Sequence, residues 1–181
     1  SETVVAHLRR ATVGDLSILN THPFQYGSWI FAHNGNIRDF ASRREELLEC
    51  VAPVLRRFIL GATDSEWIFY LLLTHLSRRI QLHHTGNNFE DIEASIREGI
   101  EEIVGLVGPL CNDPEGDPGR NYLSFVLTNG GVMLAHQGGK PLYYSTYKNV
   151  CSERDTCPSF AAECEQASAT GFVNHLVFSS E

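Results

Sequence analysis

The chain has 181 residues, 43% of them hydrophobic, and a formal net charge of -8. That length supports one well-buried core and is short for two. The acidic balance, with no basic run or basic amphipathic face, argues against a nucleic-acid or anionic-membrane partner, and no apolar run is long enough to span a bilayer.

The N-terminus lacks the basic region, apolar stretch and small-residue cleavage site of a secretory leader, so a soluble, cytoplasmic chain is expected. Five cysteines, Cys50, Cys111, Cys151, Cys157 and Cys164, are an odd number without such a leader, which favours free thiols over a disulfide framework. The last three lack the spacing of a zinc site. No metal and no cofactor are expected.

Thr3 to Leu8 is short and β-branched and reads as a strand. It carries Arg9 and Arg10 into a loop that ends at Gly14. Such a pair is either a solvated strand end or, with one guanidinium turned inward, a planar fork able to grip a carboxylate. His22-Pro23 forces extended backbone at the histidine, Phe24 is an anchor into the core, and His22 reads as structural rather than catalytic. Trp29 to His33 then reads as a buried strand running into Asn34-Gly35, a dipeptide that favours a tight turn. The corner is either a plain hairpin turn or a place where a side-chain amide and a backbone N–H meet, as stabilisation of an oxyanion requires.

Helical spacing follows over Asp39 to Leu48 and Val54 to Leu60, interrupted by Pro53. Thr63 with Glu66 matches a capping box that opens a helix whose apolar run is Trp67 to Leu76. Asp64 in its first turn either complements the helix dipole or receives a ligand's ammonium group. A polar loop, Gln81 to Asn88, leads to a second helix from Phe89 to Leu106, with Ile92, Ile96, Ile100 and Ile103 along one face. Cys111 to Arg120 is a loop of turn formers. Strands over Leu123 to Thr128, Val132 to His136 and Leu142 to Tyr147 read as an antiparallel meander. Cys151 to Thr170 reads as a surface insertion, and Phe172 to Phe178 as a last strand. Neither an internal repeat nor an inter-domain linker is evident. The order describes an α+β protein with helices packed on sheet.

Four motifs in this order, His-Leu-Arg-Arg-Ala-Thr-Val-Gly, Asn-Thr-His-Pro-Phe, Ala-His-Asn-Gly-Asn-Ile and Thr-Asp-Ser-Glu, resemble the glutaminase domain of class II glutamine amidotransferases, in its stand-alone amidohydrolase branch. The motifs cover residues 4 to 66. The resemblance implies an N-terminal-nucleophile hydrolase fold, an αββα sandwich of antiparallel sheets and helices, and hydrolysis of a γ-glutamyl amide, a small-molecule substrate, through a cysteine thioester. Carried over by position, Arg9 binds the substrate α-carboxylate, Asp64 its α-ammonium, Asn34 and Gly35 form the oxyanion hole, and Thr12 lines the pocket. The family's nucleophile is a cysteine at the mature N-terminus, whereas residue 1 here is Ser1 and runs directly into the first strand. Residues 1 to 181 are therefore expected to be an internal fragment of such a domain, incomplete at both ends and inactive alone. The alternative is a non-catalytic module that binds glutamine or a γ-glutamyl compound.

Overall fold

The computed structural model describes residues 3–7, 17–113, 117, 119–145, 155–159, 161 and 176–180. The chain divides into two compact units, Ser1–Lys140 and Pro141–Glu181. The first holds an antiparallel sheet of four strands in the order β1 (Phe24–Tyr26), β2 (Trp29–Asn36), β3 (Tyr122–Thr128) and β4 (Met133–His136). Its helices are α1 (Phe40–Cys50), the short α2 (Pro53–Arg56), α3 (Asp64–Arg79) and α4 (Phe89–Val107).

Side chains alternate along β2, so Phe31 and His33 point to the helices while Ala32 and Asn34 point to the opposite face. Phe31 is fully buried, its ring 5.3 Å from both Phe69 of α3 and Phe125 of β3. Trp29, also fully buried, donates its indole N–H to the Leu82 carbonyl at 3.1 Å. The isoleucine spacing on α4 is borne out: Ile92, Ile96 and Ile103 are buried, with Ile100 packed at the margin. Helices α3 and α4 approach closely at Gly99, where a Cβ would stand 2.8 Å from Leu72 Cδ2. They are also joined by His75 Nε2 and Glu102 Oε2 at 2.5 Å.

Asn121 acts as a clip before β3. Its amide donates to the Val107 carbonyl at 2.8 Å, capping the end of α4, and its Oδ1 accepts from Arg38 N–H at 2.8 Å. One residue thereby fixes the end of a helix, the start of a strand and the turn after β2.

Several expectations are corrected. Asn34-Gly35 is not a turn: β2 runs on to Asn36, with Asn34 opposite Ser124 and Gly35 opposite Leu123. The ladder offered by β3 outweighs the local turn preference of Asn-Gly, and the chain turns only at Asp39, with φ 53°. Glycine is needed at 35 for space, because a Cβ there would lie 2.2 Å from the Tyr122 carbonyl oxygen. Thr3–His7 is not a strand: no ladder pairs it, and β propensity counts only where a partner strand is present. The second expected helix shortens to α2, where Pro53 occupies the first turn and Val54 faces solvent. The meander ends at β4, because Tyr143–Ser145 (β5) pairs instead with Val177–Ser179 (β6) in a separate two-stranded sheet. Most of Cys151 to Thr170, and Phe172 to His175, lie outside the described residues.

Replacing Phe31 by Ala removes a ring enclosed by α3 and β3, and is predicted to lower the unfolding free energy by about 3–5 kcal/mol in urea titrations. A loss below about 1 kcal/mol would mean that the core is not built around this strand.

Candidate active site

The end of β2 and the start of α3 meet through polar contacts. Thr63 precedes α3 and its hydroxyl oxygen accepts from Glu66 N–H at 3.3 Å, the first half of the expected capping box. The reciprocal half is replaced. The Glu66 carboxylate accepts from Leu60 N–H at 3.0 Å and Gly61 N–H at 2.7 Å, while Asn20 Oδ1 accepts from Ala62 N–H at 2.8 Å. Together these side chains hold the loop that leads into the helix. Burial pushes the Glu66 carboxyl above its ordinary range, and the Leu60 and Gly61 N–H groups partly offset this.

Thr63, Asp64, Ser65 and Glu66 are all at most 4% exposed. Four consecutive polar residues at a helix start are usually solvated, so their burial marks this end as built for an interior task. The Asp64 carboxylate spans the junction. Its Oδ2 accepts from Ile37 N–H at 2.7 Å, immediately beyond β2, and its Oδ1 accepts from Ser65 N–H at 2.8 Å.

His33 reinforces the same junction from the strand side. Its Nε2 lies 3.1 Å from the Tyr122 carbonyl and its Nδ1 2.9 Å from Ser65 Oγ. Burial pulls the His33 pKa below its ordinary value, against smaller upward pulls from the Asp64 charge and the Tyr122 carbonyl.

Asn34 and Gly35 therefore lie within three residues of the amide that holds Asp64. The Asn34 side chain takes the other face of the sheet and is half-buried. On that face its cross-strand partner Ser124 accepts from Gly138 N–H and Lys140 N–H at 3.0 and 3.1 Å and donates to the Lys140 carbonyl. Asn36, two residues on, donates to the Arg120 carbonyl at 2.8 Å. Leu123 N–H is committed to the Gly138 carbonyl, away from β2, so the Gly35 backbone groups face the β1 side of the strand. A side-chain amide and a backbone N–H are thus offered on a rigid strand rather than on a turn.

Arg9 and Thr12 lie outside the described residues. His22 is buried, its ring 4.4 Å from His7 and 4.8 Å from Phe24, and it joins none of the contacts around Asp64 given above. Among the described residues, no group of three His, Cys, Asp or Glu side chains is placed to hold a metal ion. Burial, with Glu102 beside it, pushes the Cys50 thiol up, which disfavours the thiolate a nucleophile needs.

Sequence reasoning missed His33, Ser65 and Asn20, and read Glu66 only as the partner of Thr63 rather than as the group that holds Leu60 and Gly61. A signal was present for two of them: Trp67 to Leu73 is apolar on every side, which marks a helix buried all round. The polar residues that open such a helix are buried with it.

Three comparisons bear on this arrangement. Residues 1–149 match the family model described as class-II glutamine amidotransferases. The chain is 44% identical over 138 residues to a probable glutamine amidotransferase of Saccharomyces cerevisiae, covering 74% of this chain and 38% of the relative. It is 31% identical over 140 residues to a putative glutamine amidotransferase of Haemophilus influenzae, covering 75% and 39%. The chain thus spans about two fifths of the length of these relatives. A solved glutamine aminotransferase class-II domain protein from Silicibacter pomeroyi shares the fold, with a TM-score of 0.51 and 22% identity over 72% of this chain and 56% of that one.

The depressed His33 pKa makes stability depend on pH. Below the ordinary value of 6.5 the unfolded chain takes up a proton that the folded chain refuses. The contribution of neutral His33 is therefore fully present above that value and is lost as pH falls through it, with a slope of at most about 1.4 kcal/mol per pH unit. Urea unfolding between about pH 7.5 and 5 is expected to show a shallower slope in His33→Gln than in the parent, while His136, whose pKa burial also lowers, keeps its own share in both. Equal slopes would assign the effect to another histidine.

Proposed function

Because this chain belongs to the class II glutamine amidotransferases, we propose that the whole protein hydrolyses a γ-glutamyl amide through a cysteine thioester. In this reading residues 1 to 181 supply the substrate-binding side of an N-terminal-nucleophile domain. The observation that carries this reading is the buried Asp64 carboxylate held by Ile37 N–H, two residues beyond Gly35.

An amino-acid head group has one cation and one anion a single carbon apart, and a fixed carboxylate with a fixed guanidinium selects it. Asp64 receives the α-ammonium, Arg9 binds the α-carboxylate and Thr12 lines the same pocket. The side chain of the substrate then runs toward Asn34 and Gly35. When the thiolate attacks the γ-carbonyl carbon, the C=O electron pair moves onto oxygen, which the Asn34 amide and Gly35 N–H stabilise. Collapse of this intermediate breaks the C–N bond, and the leaving nitrogen takes up the proton that the thiol gave to its base and departs as ammonia or an amine. Water then attacks the thioester, releasing glutamate and restoring the thiol. Rigid strand geometry suits the task, since donors aimed in advance at the developing charge need no reorganisation as it forms.

The chemistry needs a reduced thiol, which accords with a cytoplasmic setting. The substrate is a small molecule, and the nitrogen is released to water or passed to an acceptor.

The test is ammonia release from L-glutamine and γ-glutamyl amides by the whole protein. Asn34→Ala is predicted to lower kcat by about 100-fold or more, with little change in KM. Full turnover in that variant would contradict the oxyanion assignment, and no turnover of any γ-glutamyl amide by the parent would contradict the reaction.

A further inference from the structure

We propose that His33 is a positioning residue: by accepting the Ser65 hydroxyl proton at Nδ1, it keeps Asp64 Oδ1 open to the substrate's ammonium group. The inference rests on the assignment of Asp64 as the ammonium site.

The hydrogen-bond pattern dictates the proton positions. The Tyr122 carbonyl can only accept, so His33 Nε2, 3.1 Å away, carries the ring proton. In a neutral imidazole the other nitrogen is then bare and can only accept. Ser65 Oγ, 2.9 Å from Nδ1, must donate to it. A serine hydroxyl has one proton, and its other nearby acceptor is Asp64 Oδ1 at 3.4 Å, outside the roughly 3.0 Å reach of a good O–H···O bond. The proton is therefore committed to the histidine.

The consequence falls on Asp64. A carboxylate accepts about four hydrogen bonds. Ile37 N–H takes one position on Oδ2 and Ser65 N–H one on Oδ1. With the Ser65 hydroxyl turned away, Oδ1 keeps a lone pair for a ligand cation. A charged imidazole would reverse the pattern, since both ring nitrogens would donate and the Ser65 proton would swing to Asp64. The burial that favours neutral His33 sustains the productive arrangement. His33 touches neither substrate nor reacting atoms in this scheme; it acts through Ser65.

The experiment compares binding of L-glutamate and glutarate, which differ only by the α-ammonium group, to the whole protein by calorimetry. In His33→Leu no acceptor remains for the Ser65 hydroxyl, which turns onto Asp64. Glutamate affinity is predicted to fall roughly tenfold while glutarate affinity stays. Adding Ser65→Ala to that variant removes the competing hydroxyl and is predicted to restore glutamate binding, a rescue that a purely structural histidine would not show. Ser65→Ala alone, which leaves the His33 ring intact and serves where His33→Leu does not fold, is predicted to bind glutamate as the parent does. Unchanged glutamate binding in His33→Leu, absence of rescue, or a loss in Ser65→Ala would each overturn the inference. Asp64→Asn reads the underlying assignment separately. If it still prefers glutamate over glutarate as the parent does, the ammonium site lies elsewhere and both readings fall. If its preference is lost while His33→Leu keeps its own, only the role of His33 falls.

Discussion

The structure depends on one charge-assisted hydrogen bond, from Ile37 N–H to the Asp64 carboxylate at 2.7 Å. It joins the end of β2 to the start of α3, two elements that pack through Phe31 and Phe69 but whose relative height apolar contact alone would leave loosely defined. Packing is non-directional; a carboxylate and an amide are not. A bond of this kind is worth about 1.5–3 kcal/mol net, and leaving the buried carboxylate without it would cost more. The same bond sets the distance between Asp64 and the Asn34-Gly35 segment, so the geometry of the proposed site and the packing of the core have one origin.

Around it the polar groups form a closed account. Thr63 caps the helix, Glu66 and Asn20 hold the preceding loop, and His33 reaches from the strand to both Ser65 and the Tyr122 carbonyl. Each buried donor or acceptor named here meets a partner, as burial in a low-dielectric interior requires. Asn34 differs in facing the opposite side of the sheet, where it is half-buried rather than locked into this network. That contrast matches a division of labour in which one face of β2 secures the framework and the other, with the strand's β1 side, presents donors.

Much of the framework was legible in the sequence because it is encoded locally. The isoleucine spacing of α4 and the Thr63 cap of α3 each need only a few neighbouring residues to be read. Asn34-Gly35 was misread because the deciding influence, the ladder to Tyr122, Leu123 and Ser124, comes from a distant part of the chain. The same holds for β5, whose partner is β6, more than thirty residues further on, rather than the adjacent β4. For the candidate site, the resemblance of the four motifs to class II glutamine amidotransferases pointed to Asp64, Asn34 and Gly35. The burial of Asp64 and the link through His33 and Ser65 were not legible, because a carboxylate in a first helical turn reads equally as a solvated dipole partner. Only the apolar sides of Trp67 to Leu73 hinted otherwise.

The central claim is that the Asp64 junction and the Asn34-Gly35 donors belong to one amino-acid site. A crystal structure of the whole protein with L-glutamate bound tests it most directly. The account predicts the α-ammonium nitrogen within hydrogen-bond distance of Asp64 Oδ1, and the γ-carboxylate against the Asn34 amide and Gly35 N–H. Glutamate bound away from β2, or with its ammonium group turned from Asp64, would contradict it.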